Sequence, residues 1–385
     1  MIHSALSATL PDFPWDKLVP YKEKAAAHPD GLVDLSMGSP VDPVPALVKD
    51  ALAAAAEAPA YPATIGTTAV RTAAADWLER RHGVTGLDPG RHILPVIGTK
   101  ELIMLLPTLL GVGRGDTVLS PLLAYPTYEA GAALARATTV PVADPAAYDP
   151  AGVRICFLNS PRNPTGEITG PDELRALVEW SRAGDVLLVG DECYIEFGWD
   201  DKPMSLLHPD ICGGSYDNLL AVHSLSKRSN MAGYRAGFVA GDPVVVAELL
   251  AVRKHAGLMV PTPVQAAMAA ALADDAHVDE QRDRYLRRRA VLRPALEAAG
   301  WSIEHSEGSL YVWATHPAYD AYGAVGALAD RGILVAPGTF YGTAGERHIR
   351  VALTAGDERI AAAAARLREG LTRPASDLYA RRGLG

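Results

Sequence analysis

The sequence predicts an α/β protein, with a large domain built on a mainly parallel sheet covered by helices and a smaller α+β domain after it. Three observations carry this reading. Short β-rich apolar runs alternate with helical stretches through the middle of the chain. Each run closes in a cluster of Gly, Pro, Asn or Ser, which ends a strand and opens a loop. Near residue 278 the texture changes to a long charged helical stretch followed by alternating strands. At 385 residues, 49% of them hydrophobic, the chain is long enough to bury the cores of two domains.

In chain order, residues 1–45 are Pro-rich. "LPDFPWDKLVPYKEK" and "LSMGSPVDPVP" show no strong period, and the region is expected to form an arm and a loop and to contribute part of the small domain. Residues 46–278 are expected to form the large domain, with strands at "HILPVIG", "DTVLSPLLA", "RICFLNSP", "DVLLVGDECY", "NLLAVHSLS" and "AGFVAGD". Open α/β sheets bind ligands outside the carboxyl ends of their strands, so the residues after these runs are the first candidates for a site. The Ala-rich tracts "KDALAAAAEA" and "RIAAAAARLREG" carry charges at helical spacing and read as ordinary helices. Residues 279–385 are expected to form the smaller domain, with a helix at "DEQRDRYLRRRAVLRPALEAAG" and strands at "GSLYVWAT", "GILVAPG" and "HIRVALT". The run Arg287 to Arg289, with Asp and Glu interspersed, reads as a solvated helix face. No internal repeat is evident.

Composition narrows the function. A net charge of -9 and a pI near 5.7 disfavour a general nucleic-acid or anionic-membrane binder, because both need a positive surface. Small-molecule partners are expected. Cys156, Cys193 and Cys212 have no C-x-x-C spacing, so neither a disulfide framework nor a metal site is expected. The N-terminal stretch lacks a basic segment followed by a long apolar run, and a cytoplasmic protein is the expectation.

The chemistry centres on "HSLSKRSNMAGYRAG", residues 223 to 237, which two mechanisms can claim. As S-x-x-K, it makes Ser224 the nucleophile of an acyl-transfer enzyme with Lys227 as partner. That chemistry also needs downstream S-D-N and K-T-G elements, and neither occurs. Alternatively, Lys227 forms a Schiff base with pyridoxal 5'-phosphate. Such a site needs an anion for the ring nitrogen, donors for the phosphate and phenolic oxygen, and a cover for the ring. Asp191 ends an apolar strand run and is the candidate for the anion, although taken alone it reads rather as a helix N-cap or turn aspartate. Tyr194 and Asn163 are placed for the phenolic oxygen. Ser224, Arg235 and the Gly98-Thr99-Lys100 loop at a helix start suit a phosphate. Tyr125 suits ring stacking, and Arg350, alternating with apolar neighbours in a strand, suits a substrate carboxylate or a structural ion pair.

Together these motifs resemble the class I/II aminotransferases, pyridoxal-phosphate enzymes of fold type I. The match runs in order through "LSMGSP", "YPATIG", "GTKE", "YPTY", "NPTG", "DECY", "SLSKRSNMAGYRAG" and "HIRVALT" and covers nearly the whole chain. The resemblance implies Lys227 as the Schiff-base lysine of a ping-pong reaction, with Asp191 and Tyr194 beside it in catalysis. It implies Thr99, Lys100, Tyr125, Asn163, Ser224, Ser226 and Arg235 around the cofactor, and Gly38, Asn163 and Arg350 around the substrate. It also implies a homodimer in which Tyr61 reaches the neighbouring subunit's phosphate, with amino acids and 2-oxoacids as substrates.

More closely, "LPDFPWDKLVPYKEKAAAHPDGLVDLS" and "VRKHAGLMVPTPVQAAM" resemble the actinobacterial N-succinyldiaminopimelate aminotransferases. That implies glutamate as donor and N-succinyl-2-amino-6-oxopimelate as acceptor. Such a substrate needs a second cation, for which Arg71, Arg228, Arg253 and Lys254 are the candidates. A carbon-sulfur β-lyase and a pyridoxal-phosphate-binding regulator share the cofactor and stand as alternatives.

Overall fold

The computed structural model describes residues 7–369, so residues 1–6 of the expected arm and 370–385 of the expected C-terminal domain lie outside the described residues. In chain order the first strands are β1 (Val33–Asp34), β2 (Ile93–Val96), β3 (Thr117–Pro121), β4 (Thr138–Val142), β5 (Val153–Asn159), β6 (Leu187–Asp191), β7 (Leu219–Ser224) and β8 (Gly237–Gly241). After the long helix Ala276–Ala298 come β9 (Ser302–Glu304), β10 (Tyr311–Thr315), β11 (Ile333–Leu334), β12 (Ala336–Pro337) and β13 (His348–Ala352).

Seven strands form one sheet in the order β2-β8-β7-β6-β5-β3-β4. All pair in parallel except β8, which runs antiparallel to both β7 and β2. Side chains alternate across a strand, and the core follows that rule. Leu188, Leu219 and Ala221 pack into one apolar cluster with Trp77, while Leu187, Val189, Leu220 and Val222 pack into another with Tyr128. Helices cover both faces, which is why the central strands read as continuous apolar runs rather than alternating ones.

The six expected runs each form a strand, but β4, "TTVPV", was not anticipated. It is a half-exposed edge strand containing Pro141, and an edge tolerates a proline that a central strand would not. The N-terminal region also differs from a plain arm and loop. Val19–Ala26 is a helix whose Pro20 sits in the first turn, where its missing N–H costs nothing. Beyond it, β1 pairs in parallel with β11, so an N-terminal segment packs with the C-terminal part of the chain. There β12-β13-β10-β9 form an antiparallel sheet. Among the described residues, no helix is long and apolar enough to cross a membrane.

The arginine run is not a uniformly solvated face. Arg287 is exposed, but Arg288 is buried and grips Asp42 through both terminal nitrogens at 2.8 and 2.6 Å, while its Nε donates to Asp357 at 2.6 Å. Gln281 adds a bond to the same Asp42 carboxylate at 2.9 Å. This clamp ties the loop after β1 to the long helix. Burial alone would raise the Asp42 pKa, but the hydrogen bonds and charges of Arg288, Gln281 and Arg284 outweigh it and hold the carboxyl below its ordinary value. Its folded pKa therefore lies below its unfolded one, so the clamp contributes fully above about pH 4 and its contribution is lost as the pH falls further. Asp42→Ala is expected to lower stability by on the order of 3 kcal/mol at neutral pH, with a smaller difference from wild type in strong acid. Urea unfolding at pH 7 and in strong acid measures both.

Candidate active site

The carboxyl ends of β2, β5, β6 and β7 open into a cavity of about 620 Å³. Because β8 runs the other way, its beginning meets these ends, which brings Arg235 to the same edge. At the floor, Asp191 closes β6 and is 6% exposed. Tyr128 donates its hydroxyl to Oδ2 at 2.8 Å, and the backbone N–H of Cys193 reaches Oδ1 at 3.3 Å. Burial raises the Asp191 pKa, and the Cys193 thiol together with these two bonds partly opposes the rise. No basic side chain of the described residues pairs with it. Asn159, the last residue of β5, donates to the Asp191 carbonyl at 2.8 Å and accepts from the Asn163 N–H at 2.7 Å, locking two strand ends together.

Lys227 lies in the single turn Leu225–Arg228 that follows β7, and its ammonium donates to the carbonyl of Gly38. Burial lowers its pKa; the charges of Arg350 and Arg235 act in the same sense, against opposing contributions from Tyr311 and Cys193. Gly38 is required for space, since a Cβ there would overlap the Tyr311 hydroxyl. Across the cavity, Gly98 at φ +73 starts the helix Thr99–Leu109, whose first N–H groups have no partner within the helix. The Arg235 guanidinium lies so close to Gly98 that any side chain at that position would strike it. Ser224 and Ser226 border the same space.

Arg350 enters from β13 and is 2% exposed. It donates to Asn163 Oδ1 at 2.9 Å and to the Ser36 carbonyl at 2.6 Å, and its guanidinium lies 3.9 Å from the Tyr311 ring centre. These partners are neutral and no carboxylate of the described residues pairs with it, so the ion-pair alternative for Arg350 does not hold here. The Tyr194 hydroxyl hydrogen-bonds that of Tyr311 at 2.9 Å, and burial pushes Tyr194 well above its ordinary pKa, keeping it protonated.

Gly38, Thr99, Lys100, Tyr125, Asn163, Asp191, Tyr194, Ser224, Ser226, Lys227, Arg235 and Arg350 all border this one cavity. Tyr61 does not, and is 98% exposed in the single chain. None of the expected distal cations borders it either. Arg71 donates to the Pro89 carbonyl, Arg228 is buried against Trp77, Arg253 pairs with Glu101, and Lys254 faces solvent. Instead, the Lys100 ammonium stands in the cavity over the rings of Phe13 and Tyr125, at 5.5 and 5.9 Å. Sequence reasoning also missed Tyr128, Asn159 and Tyr311. Asn159 carried the same signal as Asp191, a polar residue ending an apolar strand. Tyr128, three residues after Tyr125, carried none.

The chain matches the family model "Aminotransferase class I and II" over residues 30–367. It is 61% identical over 358 residues to the 4-dedimethylamino-4-oxo-anhydrotetracycline transaminase OxyQ of Streptomyces rimosus, covering 93% of this chain and 99% of that one. It is 57% identical to the probable aminotransferase Rv1178 of Mycobacterium tuberculosis, covering 94% and 86%. Among solved structures, a probable N-succinyldiaminopimelate aminotransferase from Thermus thermophilus matches with a TM-score of 0.84 at 29% identity, covering 92% and 99%. The chain belongs to the class I and II aminotransferases. Members of this family use pyridoxal 5'-phosphate.

The residues present fit that cofactor. A buried carboxylate without a cation suits a protonated ring nitrogen, a lysine amine borders the same space, and a helix start beside an arginine suits a phosphate. Cys193, whose thiol donates to Thr99 Oγ1 at 3.4 Å, is a wall residue. Burial raises all three cysteine pKa values, Cys156 to about 12, and the Asp191 charge adds to the effect at Cys193. The native protein is therefore expected to resist iodoacetamide at pH 8 and to take up three labels only after unfolding. Intact-mass measurement before and after denaturation checks this.

Proposed function

We propose that this protein is an N-succinyl-LL-2,6-diaminopimelate:2-oxoglutarate aminotransferase that works as a homodimer. The observation that carries the substrate is a cavity with a cation at each of two places, Arg350 and Lys100, and an apolar wall of Leu10, Phe13, Trp15 and Met104. A substrate with an α-carboxylate and a second distant carboxylate matches that arrangement. Burial and the charge of Arg235 lower the Lys100 pKa, and an incoming carboxylate relieves that strain. The homodimer is supported by exposed Tyr61, Met37 and Val41 on the chain's surface.

When bound, the cofactor supplies an aldehyde that condenses with amines and a cationic ring that accepts electrons. The chain's own residues do the rest. Asp191, held by Tyr128, would pair with the ring nitrogen and favour its protonated form. Lys227, with its lowered pKa, would hold the cofactor through its amine and, once the substrate amine has displaced it, would carry a proton to and from the substrate α-carbon. Tyr194 and the Asn163 amide would serve the phenolic oxygen. Thr99, the backbone N–H of Lys100, Ser224, Ser226 and Arg235 would hold the phosphate. Gly38 leaves room for the substrate carboxylate beside Arg350.

A second reading has a specific observation behind it, the 61% identity to OxyQ. In that reading the acceptor is a 4-oxo-anhydrotetracycline, and the apolar wall rather than Lys100 receives it. Single-turnover absorbance of the cofactor separates the two. Rapid reaction with glutamate and with N-succinyl-diaminopimelate supports the first reading. Reaction with glutamate but not the succinylated compound keeps the aminotransferase and discards that substrate. Return of the amino form by the oxo-anhydrotetracycline then supports the second.

Lys227→Ala is expected to abolish turnover while phosphate still binds. Asp191→Asn is expected to keep the cofactor and lower kcat by about 10²-fold or more. Tyr128→Phe is expected to act in the same direction but less, since one of two donors to Asp191 remains. Lys100→Met is expected to raise KM for the succinylated substrate roughly tenfold with kcat little changed, the signature of lost ground-state binding. Steady-state kinetics of the four variants checks these outcomes.

A further inference from the structure

Behind the wall formed by Cys193 and Ser224 lies a second, enclosed cavity of about 10 Å³. Three residues that border it, Glu192, His223 and Arg228, are 4%, 2% and 3% exposed. Each is one position away from a residue placed above at the cofactor: Asp191, Ser224 and Lys227. Their polar atoms are incompletely used. Glu192 Oε2, both ring nitrogens of His223, and Nε and Nη1 of Arg228 have no hydrogen-bond partner in the protein.

The distances explain why direct bonds do not form. Glu192 Oε2 is 3.6 Å from His223 Nε2, and Arg228 Nε is 4.0 Å from Glu196 Oε1, both too long for a hydrogen bond. The other atoms of these residues are already held in place. Glu192 Oε1 accepts from the Leu206 N–H at 2.6 Å, and Arg228 Nη2 donates to the Ala271 carbonyl at 3.2 Å. The three side chains are therefore fixed around a space they do not fill. Buried polar atoms left unpaired are costly, and a space of this size with several polar partners is what one internal water needs.

We infer that this cavity binds one internal water, which hydrogen-bonds Arg228 together with Glu192 and His223 and braces the residues next to Asp191, Ser224 and Lys227. The hydrogen-bonding roles are consistent. Burial raises the Glu192 carboxyl to about 8 and holds the His223 ring well below its ordinary pKa, so at neutral pH one is a donor and the other has an acceptor nitrogen. The water accepts from Arg228 or Glu192 and donates to His223. Ile195 and Glu196 border both this cavity and an outer polar one of about 520 Å³ that includes His82 and Arg81.

The water is independent of the substrate reading, and only its bracing effect rests on the cofactor placement proposed above. A crystal structure of the holoenzyme near 1.5 Å, with a second crystal under xenon pressure, tests the site. The expected result is one ordered water within hydrogen-bond reach of Arg228 and of Glu192 or His223, with no xenon in that cavity. A dry cavity that takes up xenon, or Arg228 and Glu192 swung into a direct pair, overturns the inference. For bracing, Glu192→Gln is expected to release pyridoxal phosphate at near the wild-type rate. Glu192→Leu, which sends apolar atoms toward the water, is expected to release it roughly tenfold faster, the size of effect seen when outer-layer hydrogen bonds around a ligand are lost. Release after dilution is read from the cofactor absorbance, and melting of the cofactor-free variants separates this from general destabilisation. Release from Glu192→Leu at the wild-type rate overturns the bracing role.

Discussion

A carboxylate buried at the end of a central strand without a cationic neighbour is the constraint on which the rest of this site turns. Removing an ionised carboxyl from water costs several kcal/mol unless other groups replace the lost solvation. The Cys193 thiol and the donors from Tyr128 and the Cys193 backbone only partly offset the burial of Asp191. The remaining deficit is what makes the position suited to a cationic ring. It also explains why neighbouring residues are so tightly specified: Asn159 ties the end of β6 to the end of β5, so the carboxylate has one place to point.

The same logic runs in reverse at Arg350. Its guanidinium is buried among a carbonyl, an amide oxygen and two tyrosine faces, partners that hold its position without neutralising its charge. Asp191 and Arg350 both border the cavity, and Lys227 lies in the same space, hydrogen-bonded to Gly38. The sheet makes this possible through one topological irregularity. By reversing β8, the chain delivers Arg235 to the edge where the parallel strands end, and Gly98 lets the guanidinium press against the start of a helix.

Layers beneath the site are as polar as the site itself. Glu192, His223, Arg228 and Glu196 form a buried cluster whose side chains stop short of direct contact in places. Farther out, Asp42 and Arg288 join the loop carrying Gly38 to the long helix.

The sequence by itself determined the sheet runs and most of the site, because both leave a local signature. A strand covered on both faces is an apolar run, and a polar residue ending such a run stands at the sheet edge where ligands bind. Asp191 and Asn163 were legible in this way as residues bordering the cavity, and Lys227 and Arg235 through the motif that carries both. Tertiary structure alone decided what depends on distant partners. Tyr128 meets Asp191 across 63 positions, Arg350 meets Asn163 across 187, and Arg288 meets Asp42 across 246. No local pattern encodes such pairings, so Arg288 looked solvated, and Arg71, Arg228, Arg253 and Lys254 were the candidates for a distal cation while Lys100 was read only as part of the phosphate loop. The edge strand β4 escaped for a related reason: its half-exposed, proline-containing sequence acquires strand character only by pairing with β3.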